Sequence, residues 1–233
     1  MQIRSVRFLV IVALPLVAAC GEDPAAEVRE VPAGLSAVES GAEDAYDMAL
    51  AGDNAAVAEA AETLSHSWGH YRPRALEDGA GEALLAQVDD AIAGLHDAAN
   101  QEGIEHVSLA RAANQISAPM DELYALYQPT VPADVLALDY LGREVALDGM
   151  DGDPQAADGD ITEIEARWAT LRPEVVEAGG SKEAADFDAS IDGERGAVVA
   201  GDAQGLVDTA DLQLELVDAL ENVFGAAGED PAD

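Results

Sequence analysis

The chain has 233 residues and a formal net charge of −36 at pH 7, because 47 acidic residues outnumber 11 lysines and arginines. Such a charge repels phosphate backbones and anionic headgroups, which argues against nucleic acids and anionic lipid surfaces as partners. Apolar residues make up 49% of the chain, which argues against disorder and provides enough material for one core or two small ones.

The N-terminus has the pattern of an export signal. Two arginines precede an apolar run over residues 8–19, which is too short to cross a bilayer core that requires roughly twenty residues. The run ends in Leu-Val-Ala-Ala before Cys20, the only cysteine, and so resembles the lipobox of bacterial lipoproteins. The resemblance implies a signal peptide over residues 1–19 and a lipid on Cys20. The alternative is an ordinary signal peptide that leaves a free thiol.

The same resemblance implies a cellular location. A lipid on the first mature residue would anchor the body to the bacterial cell envelope without threading it through the membrane. Gly21, rather than an aspartate, follows the cysteine, which favours the outer membrane facing the periplasm if the source is Gram-negative. Residues 20–33 are small, polar and proline-containing, which predicts a flexible tether between lipid and domain.

Apolar residues spaced three and four apart indicate helices throughout the rest of the chain. Gly52-Asp53 and Gly201-Asp202 each place a helix stop beside a good N-cap. Asp153-Pro154 adds a cap followed by proline at the first helical position. This punctuation predicts eight helices, over residues 34–51, 54–77, 81–100, 104–127, 133–150, 154–177, 181–200 and 203–224.

A shift of 100 residues brings the two halves of the chain into register. The matched pairs are Gly52-Asp53 with Gly152-Asp153, Trp68 with Trp168, Arg72-Pro73 with Arg172-Pro173, and Gly79 with Gly179. Four helices in each half predict an all-α fold of two tandem duplicated up-and-down four-helix bundles. The first repeat spans residues 34–128 and the second 129–228, and residues 229–233 form an acidic tail.

Each repeat carries a tryptophan and an arginine one helical turn apart, Trp68 with Arg72 and Trp168 with Arg172. At this spacing the guanidinium can lie over the indole, and the proline that follows would kink or end the helix. In this interpretation the motif is structural. The alternative is that the four side chains line a ligand groove between the halves, where the arginines would hold a carboxylate.

A second candidate site lies on the predicted helix over residues 54–77. At 100° per residue, Glu59, Glu62, His66 and His70 fall within about 80° of arc on the side away from the apolar stripe. Two imidazoles and two carboxylates suit Zn²⁺, Cu²⁺ or Ni²⁺. The stripe therefore predicts a metal site, and the alternative is a solvated polar face.

The segment from Ala51-Gly52-Asp53 to Tyr71-Arg72-Pro73 resembles the imelysin-like helical domains of bacterial envelopes, with a Gly-Asp turn followed by an Ala-rich helix. The resemblance implies a helical envelope domain. The His-x-x-Glu motif of that family does not occur in the sequence, so no ligands are transferred. The sequence also has no phosphate loop, His-Glu-x-x-His, nucleophile elbow or Cys-x-x-Cys, and we expect no enzymatic activity.

Together these features predict a membrane-anchored extracytoplasmic binding lipoprotein for a divalent metal or a small ligand. The competing function is a structural or interaction module that presents its surface to another envelope protein. The acidic surface, almost free of lysine, is typical of exported halophile proteins, and the alternative is that it collects cations or basic partners.

Overall fold

The computed structural model describes residues 29–228. The predicted signal peptide, Cys20, most of the tether and the predicted acidic tail lie outside these residues. All regular structure within them is helical. The helices are α1 (Ala33–Leu50), α2 (Asn54–Asp78), α3 (Glu82–Ala99), α4 (His106–Asn114), α5 (Met120–Tyr124), α6 (Ala133–Met150), α7 (Asp158–Glu177), α8 (Ser181–Ala200) and α9 (Ala203–Gly228).

The helices form two four-helix bundles, which confirms the predicted fold class. In the first bundle α1 packs on α2 and α4, and α3 closes the ring against the same two helices. In the second bundle α6 packs on α7 and α9, and α8 closes the ring in the same way. Each bundle has its own hydrophobic core. Each fully buried leucine or phenylalanine in those cores contributes about 1.5–3 kcal/mol.

The joints between helices repeat at the predicted offset of 100 residues. Both α1 and α6 are 18 residues long and begin directly after a proline. Gly52 and Gly152 have φ of 78° and 75°, and Gly79 and Gly179 have φ of 111° and 99°. Because side chains are strained at these angles, glycine is required at the turn after each of these helices. The duplicated sequence therefore forms duplicated turns.

Three predicted helices differ from the structure by more than one residue at a boundary. The last helix, predicted over residues 203–224, continues to Gly228. The helix predicted over residues 104–127 is divided into α4 and α5, and Pro119, which has no backbone N–H, directly precedes α5. The helix predicted from residue 154 begins at Asp158, because residues 154–157 form turns. Asp153 therefore does not cap α7, whereas Asp53 caps α2 by accepting a hydrogen bond from Ala56 N at 3.0 Å.

The prolines that follow the Trp-Arg pairs do not end their helices. Pro73 lies inside α2 and Pro173 inside α7, and both helices continue to the next glycine turn. A proline in a helix interior removes one backbone hydrogen bond, and the packed Trp, Tyr and Leu side chains of the same helices provide the compensating burial.

The end of the predicted tether belongs to the folded body. Arg29 O accepts a hydrogen bond from Gln128 N at 3.0 Å, and the Arg29 guanidinium donates to Asp78 O at 3.1 Å. Val31 packs against the first core. Residues 29–33 therefore belong to the folded body and not to a tether, which corrects the prediction for these residues.

The two bundles meet where α4 and α5 pack against α6, and an ionic network lies at this interface. Arg111 on α4 donates to Glu144, to Asp148 at 2.9 Å and to Asp151 at 3.0 Å. Asn114 Nδ2 adds a bond to Glu144 Oε1 at 2.8 Å. Because Glu144 and Asp148 are only 5% and 8% exposed, the network holds two buried carboxylates against one guanidinium.

Three buried polar side chains, Ser190, Glu194 and Gln213, lie together in the described part of the second bundle. Glu194 is fully buried and accepts a hydrogen bond from Gln213 Nε2 at 3.1 Å. Its burial raises the pKa of this carboxyl to about 8. With the carboxyl ionised, Glu194 Oε1 and Gln213 Oε1 have no partner, and a proton on Glu194 would supply the missing donor. The folded state therefore favours the neutral acid.

Candidate functional site

A cavity of about 540 Å³ lies at the junction of the two bundles; we call it the junction cavity. Its walls come from α1, α5, α6, α9 and the connector over residues 129–131. Six carboxylates line it: Glu39, Glu43, Asp47, Asp139, Asp218 and Glu221. Its volume falls in the usual range of small-molecule sites.

One guanidinium crosses the junction cavity. Arg143 on α6 donates from Nη2 to Glu43 Oε1 on α1 at 2.9 Å, and its Nη2 lies 2.5 Å from Asp139 Oδ2. The guanidinium carbon lies 5.3 Å from the centre of the Tyr46 ring. This cation–π contact stabilises the position of the arginine side chain. Arg143 is only 9% exposed. Its Nη2 contacts both carboxylates, and its Nη1 is buried without a hydrogen-bond partner among the described residues.

Two of the lining carboxyls are shifted towards neutrality. Burial and, to a smaller extent, the nearby Glu43 charge together raise the pKa of both Glu39 and Asp139 to about 7. Arg143 lowers the pKa of Asp139 but does not offset these effects. Burial also raises the pKa of Glu221. Near neutral pH the cavity therefore holds ionised and protonated carboxyls together, with fewer cations than carboxylates.

This arrangement suits a positively charged guest with an apolar part. A cation would favour ionisation of the buried carboxyls, whereas an anion would meet them without a free cation to pair with. Val31, Val131 and Leu136 add apolar wall, and Tyr124 donates from its hydroxyl to Glu39 Oε2 at 3.1 Å. Within residues 29–228 no group of three or more acidic, histidine or cysteine side chains is arranged to hold a metal ion.

The sequence analysis did not identify this cavity, although the duplication contained a signal for it. Glu39 and Asp139 occupy matched positions in the two repeats, and so do Glu43 and Arg143. The first matched position is acidic in both repeats, whereas the second is acidic in the first repeat and basic in the second. Matched residues of opposite charge on α1 and α6 can form a bridge across a pseudo-symmetric junction, and Glu43 and Arg143 do.

Of the four predicted metal ligands, only His66 and His70 lie close to each other in the structure. The Nε2 atoms of His66 and His70 lie 3.1 Å apart on the exposed side of α2. Glu62 instead accepts from His96 on α3, with Oε1 and Nε2 3.0 Å apart. Glu59 is exposed and makes no side-chain hydrogen bond. The four-ligand cluster predicted from helical spacing is therefore reduced to a pair of imidazoles.

The tryptophan and arginine of each repeat share an acidic partner rather than stacking. Trp68 Nε1 and Arg72 Nε both donate to Asp89 on α3, at 2.6 Å and 3.0 Å. In the second repeat the partner of Trp168 and Arg172 is Asp188 on α8. The predicted stacking is wrong, because an ionised carboxylate binds both donors more strongly than the indole face binds a guanidinium.

The predicted groove has no support in these contacts. Trp68 and Trp168 are each 4% exposed inside separate cores, and each arginine is neutralised within its own bundle. The sequence analysis missed Asp89 and Asp188. Asp89 directly follows Val88, and Asp188 directly follows Phe187. Val88 and Phe187 are core residues that correspond in the two repeats after a one-residue change in register. The acid that follows each of them could therefore have been recognised as a repeated feature.

Comparison of the chain with protein-family models, with curated proteins and with solved structures finds no match. The resemblances to bacterial lipoproteins and to imelysin-like domains therefore stay predictions from the residues that carry them. Across residues 29–228 no helix combines the length and the apolar character needed to cross a membrane.

Proposed function

We propose that the protein is an extracytoplasmic binding protein, tethered to the cell envelope through Cys20, that holds a small organic cation in the junction cavity. The observation that carries the proposal is a ligand-sized cavity with six carboxylates and one committed guanidinium in its walls. The proposed activity is ligand binding, and no catalytic residues are proposed.

The charges that line the junction cavity favour a cation over an anion as the ligand. Eight of the nine lysines and arginines in residues 29–228 pair with carboxylates: Arg72, Arg74, Arg111, Arg143, Arg167, Arg172, Lys182 and Arg195. The ninth, Arg29, donates to the backbone oxygen of Asp78. An anionic ligand would have to break such pairs inside a strongly negative protein. A cation instead gains from every ionised wall residue, and desolvation in the cavity strengthens each of those attractions.

Proton release should accompany binding. Glu39 and Asp139 have pKa values raised to about 7, so a fraction of each is protonated near neutral pH. A bound cation stabilises the ionised forms and displaces those protons. Affinity should therefore rise with pH through about 7 and level off above it, because the carboxylates are then already ionised.

The direct test is calorimetry on the full chain in detergent, with 1,4-diaminobutane and tetramethylammonium as cations and butyrate as the anion. We expect the cations to bind and butyrate not to bind. Glu39→Gln and Asp139→Asn should each weaken cation binding by about tenfold. Repeating the titration in two buffers of different ionisation enthalpy should reveal the released protons as a difference in heat.

Asp44→Asn is the matched control. Asp44 lies on the same helix as Glu39, is exposed and does not line the junction cavity, so its loss changes net charge without changing the wall. If Asp44→Asn weakens binding as much as Glu39→Gln, the cation is attracted by general charge and the proposal is wrong. If no cation binds, the competing function as an interaction module becomes the better interpretation.

The tether has its own test. If Cys20 carries lipid, the native N-terminal peptide should have the mass of a diacylated cysteine, and the protein should fractionate with membranes. Cys20→Ala should move it to the soluble fraction while leaving its helical circular dichroism unchanged. An unmodified N-terminal thiol on the membrane-bound protein would contradict this part of the proposal.

A further inference from the structure

Two exposed imidazoles on α2 converge on one point. His66 and His70 are one helical turn apart, their Nε2 atoms lie 3.1 Å apart, and their ring centres are 4.4 Å apart with the planes at 89°. Two nitrogens at this separation subtend roughly 95° at a metal placed 2.1 Å from each of them. That angle lies between the ligand angles of square-planar and tetrahedral coordination.

The bundle itself does not explain this pair. The same positions of α7 in the second repeat are Ala166 and Thr170, which are also exposed, and α7 forms without histidine. His66 and His70 are both exposed, so neither is part of the buried core of the first bundle. Without a metal, the short nitrogen–nitrogen distance requires one ring to donate its N–H to the other.

We propose that His66 and His70 chelate a divalent transition metal through their Nε2 atoms, with water completing the coordination shell. This site is independent of the proposed function, because neither histidine lines the junction cavity. On metal binding, the ring that carried the Nε2 proton carries it on Nδ1 instead, so both rings stay neutral and present Nε2 lone pairs to the metal.

Chemistry and charge define the metal. Imidazole nitrogens favour Cu²⁺, then Ni²⁺ and Zn²⁺, over Mg²⁺ or Ca²⁺, which prefer oxygen. The surrounding surface is acidic, with Glu59 and Glu62 on the same exposed side of α2, so a dication is attracted to it. Glu62 is already engaged by His96, which leaves water for the remaining coordination positions.

The experiment is a titration of the full chain, in detergent and without tag histidines, with CuCl₂, NiCl₂, ZnCl₂ and MgCl₂. We expect one Cu²⁺ per chain to bind most tightly, weaker Ni²⁺ and Zn²⁺ binding, and no Mg²⁺ binding at this site. The electron paramagnetic resonance spectrum of the Cu²⁺ complex should show coupling to two imidazole nitrogens. His70→Thr, which copies the second repeat, should weaken Cu²⁺ binding by about tenfold or more.

His96→Ala is the matched control, since it removes an exposed histidine of the same bundle that is bonded to Glu62 instead. It should leave Cu²⁺ affinity and the two-nitrogen spectrum unchanged. Unchanged Cu²⁺ affinity in His66→Ala and His70→Thr, or a spectrum with only oxygen ligands, would assign the metal to surface carboxylates and overturn the proposal. Circular dichroism of each variant excludes a loss of folding as the cause.

Discussion

Replacement of Glu194 by glutamine should make the protein more stable in alkaline solution, by about 4 kcal/mol in the free energy of unfolding. Glu194 is fully buried and its burial raises its pKa to about 8. Glutamine copies the size and neutrality of the protonated acid, and its amide oxygen can still accept from Gln213 Nε2. The variant therefore stays neutral and keeps this hydrogen bond at every pH.

The pH dependence of this stabilisation follows from the direction in which the pKa of Glu194 is shifted. Because the folded pKa of about 8 lies above the ordinary value of 4.5, the unfolded chain loses this proton first as the pH rises. The stabilisation is fully present below about pH 4.5 and is lost as the pH rises through about 8. The wild type and Glu194→Gln should thus be nearly equal at about pH 4.5 and differ most at about pH 9.

Denaturant unfolding at several pH values measures this difference. Asp192→Asn is the matched control, because Asp192 is an exposed acid on the same helix, and it should not change the pH profile. Equal pH dependence in the wild type and Glu194→Gln would show that Glu194 is ionised in the folded protein, and the assignment of a neutral buried acid would be wrong.

Replacement of Arg111 by methionine should lower the free energy of unfolding by about 3–5 kcal/mol, the usual cost of breaking a buried ion pair from one side. The substitution leaves Glu144 and Asp148 buried at the α4–α6 interface without their common cation. Burial raises the pKa of Asp148, so part of the cost can be relieved by protonation at lower pH. The loss should therefore be smaller at about pH 5 than at about pH 8.

Lys182→Met provides the comparison for the same change of charge. Lys182 pairs with Asp186 along one helix, and its side chain is 80% exposed, so its loss should change stability far less than the loss of Arg111. Glu144→Gln combined with Arg111→Met should recover part of the lost stability, since one uncompensated charge is then removed. Equal effects of Arg111→Met and Lys182→Met would mean that the interface network is not desolvated.

The periodicity of the chain was enough to predict most of the helices. Apolar residues recur every three or four positions, and glycines stand where a left-handed turn is required, so local rules predict both the helices and their ends. The break at Pro119 and the late start of α7 at Asp158 were missed. At Pro119 the helix breaks as the proline favours, and the prediction had followed the apolar spacing through it. At Asp153-Pro154 the cap signal did not start a helix, and residues 154–157 form turns instead.

The candidate sites were predicted less well, for a different reason. Helical spacing correctly placed His66 and His70 on one exposed side of α2, because that relation lies within a single helix. Spacing could not tell that Glu62 would bind His96 or that Trp68 and Arg72 would share Asp89. These contacts join different helices, whose relative rotation is set by core packing.

The sequence by itself determined the all-helical architecture, its division into two repeats and the turns that join the helices, because these follow from periodicity, glycine conformation and the 100-residue register. Only the tertiary structure decided where charge would be buried. The junction cavity brings Glu39, Asp139 and Arg143 together from two bundles, and the raised pKa values there come from desolvation. Desolvation depends on which surfaces meet, and nothing in the spacing of residues along one helix specifies that meeting.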